Sequence, residues 1–186
     1  LTKMYPNTCF SGNVTASVQG TSLEDFAGDI HIDDLCITDS LGDYKPGDIH
    51  ITSAPREAGD NHLVFISPFL ESQVDGHFSY SALKAEIINV GSNYLPTLVT
   101  PSNQELSTSD YGKIDFKLFS AEPLSRLLGI PLTITQPVIA HGEIDTDSRV
   151  LMLTASAPFV QYKNETLRNI DLRVESNQQS WLSTLQ

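Results

Sequence analysis

The sequence has 186 residues, 40% of them apolar, and a formal charge of −12 from 11 Lys+Arg against 23 Asp+Glu. That length fits one domain or two small ones. Releasing the counterions of a nucleic acid takes clustered cations, so nucleic-acid binding is disfavoured, and so is adhesion to an anionic membrane by charge alone.

The dominant period is two. In Phe10-Ser11-Gly12-Asn13-Val14-Thr15-Ala16-Ser17-Val18 the even positions form one largely apolar face and the odd ones a polar face. Such alternation reads as a strand with one apolar side. Phe26, Gly28, Ile30 and Ile32 repeat it, with Asp29, His31 and Asp33 opposite. Further strands are expected at 35–38, 48–53, 62–67, 72–80, 112–119, 132–135, 138–145, 150–156, 158–162 and 166–175. Turn chemistry separates them at Asp39–Gly42, Lys45–Gly47, Ala58–Asn61 and Asp145–Ser148. The fold class expected is mainly β: an antiparallel repetitive curled sheet, or a sandwich-like arrangement, with one or two short helices.

The helices are expected at about 81–95 and 122–128. Leu83, Ile87, Val90 and Tyr94 share one helical face, with Ser81 as N-cap and Leu95-Pro96 as the stop. Pro123 suits a first helical turn and Gly129 the position after the last. The Ser/Thr/Asn/Pro-rich stretch near 99–110 reads as a linker between a β region at 1–98 and a second at 111–186. A glycine between apolar neighbours recurs at Gly12, Gly28, Gly76 and Gly142. Glycine weakens a strand, so its recurrence predicts a bend or bulge at equivalent points of a repeat.

Catalytic and metal signatures are missing. His31, His50, His62, His77 and His141 show no H-x-x-x-H spacing, and none lies near a Cys. An Asp29/His31/Asp33 stripe reads as a solvated polar face, so no metal and no cofactor is expected. Asp145-Thr146-Asp147-Ser148-Arg149 lacks the Gly and Glu of a calcium loop. There is no G-x-S-x-G elbow and no phosphate loop. The adjacent carboxylates Glu24-Asp25 and Asp33-Asp34 would point to opposite faces of a strand. The reading is therefore of a non-enzyme, with catalytic residues none. Cys9 and Cys36 read either as two small buried thiols or as a cross-strand bridge. No run approaches the ~18 apolar residues of a membrane-spanning helix, and no signal-peptide pattern is seen. Opening at Leu1 and stopping in mid-pattern, the sequence reads as a segment of a longer chain.

The order of pieces from Phe26 to Pro96 carries a resemblance. Phe26-Ala27-Gly28-Asp29-Ile30-His31-Ile32 is followed by Gly47-Asp48-Ile49-His50-Ile51-Thr52, then by Leu63-Val64-Phe65-Ile66-Ser67-Pro68-Phe69, Val74-Asp75-Gly76-His77-Phe78, a helix, and Tyr94-Leu95-Pro96. This resembles the central part of TamB-like proteins of Bacteroidota, in the AsmA superfamily. It covers roughly residues 8–98, with a looser echo at 138–175. The resemblance implies a periplasmic β-repeat segment of a parent anchored in the inner membrane. It also implies a role in phospholipid transport between inner and outer membranes, or in outer-membrane protein assembly. The partners implied are phospholipid acyl chains and outer-membrane assembly proteins.

The candidate ligand-binding positions are the apolar-face residues Val14, Ala16, Val18, Ile30, Ile32, Ile49, Ile51, Val74 and Phe78. The same residues serve equally as an ordinary closed core. An extracellular β-sandwich interaction or adhesion module is the alternative. Strand order decides between them: a meander favours a trough, two sealed sheets favour the sandwich.

Overall fold

The structure is a computed structural model that describes residues 8–20, 27–55, 60–77, 111–128, 131–145, 150–177 and 180–185. The described strands are β1 (Cys9–Gln19), β2 (Ala27–Asp39), β3 (Gly42–Tyr44), β4 (Ile49–Pro55), β5 (Asn61–Ile66), β6 (Leu70–His77), β7 (Tyr111–Leu118), β8 (Leu132–Ile134), β9 (Val138–Asp145), β10 (Val150–Tyr162), β11 (Glu165–Asn177) and β12 (Ser180–Leu185). One helix, α1 (Glu122–Leu128), is found among the described residues and coincides with the expected 122–128. The expected helix at 81–95 and the linker at 99–110 lie outside the described residues.

The fold is mainly β and antiparallel. Every described strand belongs to one open sheet in the order β1-β2-β4-β5-β6-β7-β9-β10-β11-β12, with β3 beside β2 and β8 beside β10. Neighbours in the sheet are nearly all neighbours in sequence, the pattern of a meander. The ladder from β6 to β7 runs from Leu70↔Leu118 to His77↔Tyr111, so strands from both sides of the 99–110 stretch share the sheet.

Strand lengths organise one end. β2 and β10 have 13 residues each, whereas β4, β5, β6, β7 and β9 have 6 to 8. The long strands project beyond the short ones, and their free inner edges there are paired by β3 (Ile37↔Tyr44) and β8 (Val160↔Ile134). The space between is filled by α1. Its first turn is defined by Ser125 N–H donating to the Ala121 carbonyl at 2.8 Å and by the Ser120 hydroxyl accepting from Glu122 N–H at 3.3 Å. Ser125 Oγ then donates to the Leu132 carbonyl at 2.7 Å, while Arg126 reaches the Gly42 carbonyl at 3.1 Å. The helix thus straps β3 to β8. Ile37, Phe69, Leu118, Ala121, Pro123 and Ala157 are buried at this end.

Two irregularities explain breaks in the sequence pattern. β2 is one strand, not two, because a bulge places Asp34 and Leu35 opposite Gly12. Asp34 has φ 54, and its N–H donates to Asp48 Oδ1 at 3.1 Å. The extra residue switches parity, so Ile30, Ile32, Leu35 and Ile37 share a face. β10 likewise continues through Pro158, which lies where pairing passes from β9 to β8 and opposite Asn169 (φ 52). Proline lacks the donor, and that rung is skipped. Of the recurrent glycines, Gly28 (φ 136) and Gly76 (φ 145) need the conformation that only glycine adopts freely. Cys9 and Cys36 are both free, and Cys9 is exposed, so neither the bridge nor a pair of buried thiols describes them.

Candidate functional site

Cross-strand partners in an antiparallel ladder share a face, so the register assigns every side chain to one of two surfaces. One row runs Ala16, Ile30, Ile51, Phe65, Ser72, Phe116, Ala140, Ala155, Leu172. The next on the same face runs Val18, Gly28, Ser53, Leu63, Val74, Ile114, Gly142, Leu153, Val174. Only Ser72 and Ser53 interrupt them with a polar group. Crossing nine strands, each row follows the sheet for about 38 Å at ~4.8 Å per spacing.

The expected positions Val14, Ala16, Val18, Ile30, Ile32, Ile49, Ile51 and Val74 all fall on this face. Phe78 lies outside the described residues. The face is graded. Val74 and Val174 are buried, Phe65 and Phe116 half-buried, and at the β1 edge Val14 is 66% exposed. Among the described residues no second sheet is present to seal it. Phe65 meets Phe69 edge-to-face at 6.1 Å between centroids, anchoring the face at the strapped end.

The opposite face is polar and carries all five histidines. Three are paired with aspartates of the adjoining strand: His62 Nδ1 with Asp75 at 2.6 Å, His141 Nδ1 with Asp115 at 2.7 Å, and His50 Nε2 with Asp29 at 3.2 Å. His77 stacks on Tyr111 at 6.3 Å. The stripe expected from sequence, Asp29/His31/Asp33, is replaced by Asp29, His31 and His50, whose ligand-type atoms lie within 4.8 Å of one another. Asp33 instead stands opposite Asn13. His50 was legible in retrospect: Gly28–Ile32 and Gly47–Ile51 are both Gly-Asp-Ile-His-Ile, and the two copies pair antiparallel about His31 and His50. The bonds from His50 and the Thr52 hydroxyl hold the Asp29 carboxyl below its ordinary pKa, opposed by slight desolvation.

Two kinds of recess accompany the faces. A cavity of about 510 Å³ lies beside α1, against Arg126, Leu132 and Lys163. Another of about 400 Å³ lies on the polar face between Ile66, Glu71, Lys117 and Ile139. No helix of the described residues is long and apolar enough to cross a membrane. No family model, curated protein or solved structure matches the chain.

Proposed function

We propose that this chain is a periplasmic segment of a TamB-like envelope protein, and that its apolar sheet face carries phospholipid acyl chains between membranes. In this reading it works as a conduit or scaffold and performs no catalysis. Its parent is anchored in the inner membrane, and outer-membrane assembly proteins are its further partners. The observation that carries the reading is the pair of apolar rows, each broken by a single serine, on one face of an open meander sheet.

Magnitudes favour a face of this kind. An acyl chain crossing water exposes ~0.8 kcal/mol per methylene. Two chains of about 16 carbons therefore face on the order of 25 kcal/mol. Rows spanning about 38 Å are long enough for an extended chain of that size to lie across the strands. The β-sandwich adhesion module is less well supported, since it requires two facing sheets and Greek-key order, and the described strands form one sheet in meander order.

A pair of neighbouring positions gives the test. Phe65 and Val64 are adjacent on β5 and point to opposite faces. A photo-crosslinking residue at Phe65 is expected to capture phospholipid from vesicles, and the same residue at Val64 to capture none. Mass spectrometry of the purified chain is expected to find co-purifying phospholipid. Equal labelling at both positions, with no lipid in the extract, would overturn the reading.

A further inference from the structure

The two copies of Gly-Asp-Ile-His-Ile pair so that His31 and His50 are direct cross-strand partners. Their imidazoles stack at 3.9 Å between centroids and 18° between planes on the polar face. Asp29, two residues before His31 on the same face, directs Oδ1 to His50 Nε2 at 3.2 Å. Thr52, opposite Asp29, donates its hydroxyl to that same oxygen at 3.0 Å. The repeat's other aspartate, Asp48, is engaged elsewhere, accepting the N–H of Asp34 in the β2 bulge. The local twofold is thereby broken, and one carboxylate is left beside two imidazoles.

We propose that Asp29, His31 and His50 bind a divalent transition-metal ion of the Zn²⁺ class. Imidazole nitrogen and carboxylate oxygen suit such an ion, with bonds of ~2.0–2.2 Å and tetrahedral geometry. Ca²⁺ and Mg²⁺ prefer all-oxygen sets and are not expected to bind. Ligand atoms on a tetrahedral ion lie roughly 3.3 Å apart. For an ion to bind, the present spread of up to 4.8 Å closes as the rings turn out of their stack. His50 then exchanges its bond to Asp29 for a shared ion, and solvent completes the fourth position. The Thr52 hydroxyl acts as the outer partner that orients the carboxylate. The paired sites His62/Asp75 and His141/Asp115 share the face, yet among the described residues three ligand groups converge only at His31 and His50. The site lies on the sheet surface opposite the apolar rows, so it is independent of lipid carriage.

The experiment is calorimetric titration of chelator-stripped full chain with ZnCl₂, alongside imidazole ¹H–¹⁵N NMR. One equivalent is expected to bind, shifting the His31 and His50 resonances together. His31→Gln and His50→Gln are each expected to weaken binding more than tenfold, and Thr52→Val by about tenfold. His62→Gln and His141→Gln are expected to leave it unchanged. Far-UV circular dichroism of each variant separates lost binding from lost folding, and CaCl₂ is expected to give no saturable heat. Zinc binding that weakens equally in His62→Gln and His50→Gln would overturn the proposal. So would the absence of any saturable shift at His31 and His50 up to millimolar zinc.

Discussion

Arg126 and Asp39 form an ion pair at 3.1 Å across 87 positions of sequence, with side chains 13% and 1% exposed. The same guanidinium donates to the Gly42 carbonyl, pairs with Glu122 and lies 4.9 Å over the Tyr44 ring. Asp39 Oδ1 also accepts from Leu41 N–H at 2.7 Å, while Oδ2 is buried without a partner. The carboxylate depends on Arg126 for its neutralisation.

We predict that Arg126→Met destabilises the fold by about 3–4 kcal/mol, chiefly because the Asp39 charge is left buried and unpaired. Adding Asp39→Asn should recover a large part of that loss, so the double variant is far less damaged than the sum of its parts. Urea denaturation of the two singles and the double measures the cycle. Simple additivity would show that the pair does not hold the strap.

Glycine positions are expected to separate by what surrounds them. A Cβ at Gly28 would fall on the Ser17 carbonyl oxygen, and one at Gly76 on that of Tyr111. Gly42 shares the positive φ but has open space. Gly28→Ala and Gly76→Ala are predicted to cost more than about 3 kcal/mol or to prevent folding, whereas Gly42→Ala should cost about 1–2 kcal/mol. Thermal melts of the three variants check the order, and equal losses would refute it.

The hairpin between β10 and β11 turns through Lys163, at φ 54, and Asn164. A lysine in that region carries strain that glycine lacks. Lys163→Gly is predicted to stabilise the chain by about 0.5–1 kcal/mol, seen as a higher Tm. A lower Tm would mean that the contact of Lys163 with Tyr162 outweighs the backbone strain.

Tyr111 donates its hydroxyl to Asp60 Oδ1 at 2.6 Å, and that bond, with slight desolvation and the carboxylate charge, raises its pKa. The folded state holds the proton more tightly than the unfolded. The contribution is therefore complete below the ordinary tyrosine value of about 10 and is lost as pH climbs through the raised folded value. Ultraviolet titration is expected to show a late-ionising tyrosine that disappears in Tyr111→Phe and returns toward the ordinary range in Asp60→Asn. Burial raises Tyr44 as well, reinforced by Glu122, so one late group should persist in Tyr111→Phe. Identical titration of the wild type and Asp60→Asn would contradict the assignment.

The strands were legible wherever alternation ran unbroken, as from Phe10 to Val18, and so was α1, through Pro123. β2 reads as two strands because the Asp34–Leu35 bulge inverts the parity of the pattern. β10 reads as two because Pro158 suggests a break, which the handover from β9 to β8 absorbs. β3, three residues long, follows the Ser40-Leu41 turn and is too short for a period to register. The apolar face was legible because it depends only on local alternation. The His31–His50 contact depends on which strands pair and in what register, information that no single strand contains.

An open meander also has an evolutionary consequence. Each strand is bonded only to its flanking neighbours, so a chain of this kind can grow or shrink by duplication or loss without redesigning a central core. Direction alternates from strand to strand, so changes in strand pairs leave every later element at its original end. A single strand added between β3 and α1 would carry the strap to the far end of the sheet, away from β3. Length variation among descendants of such a chain should therefore come in hairpins, and selection would count strands by twos.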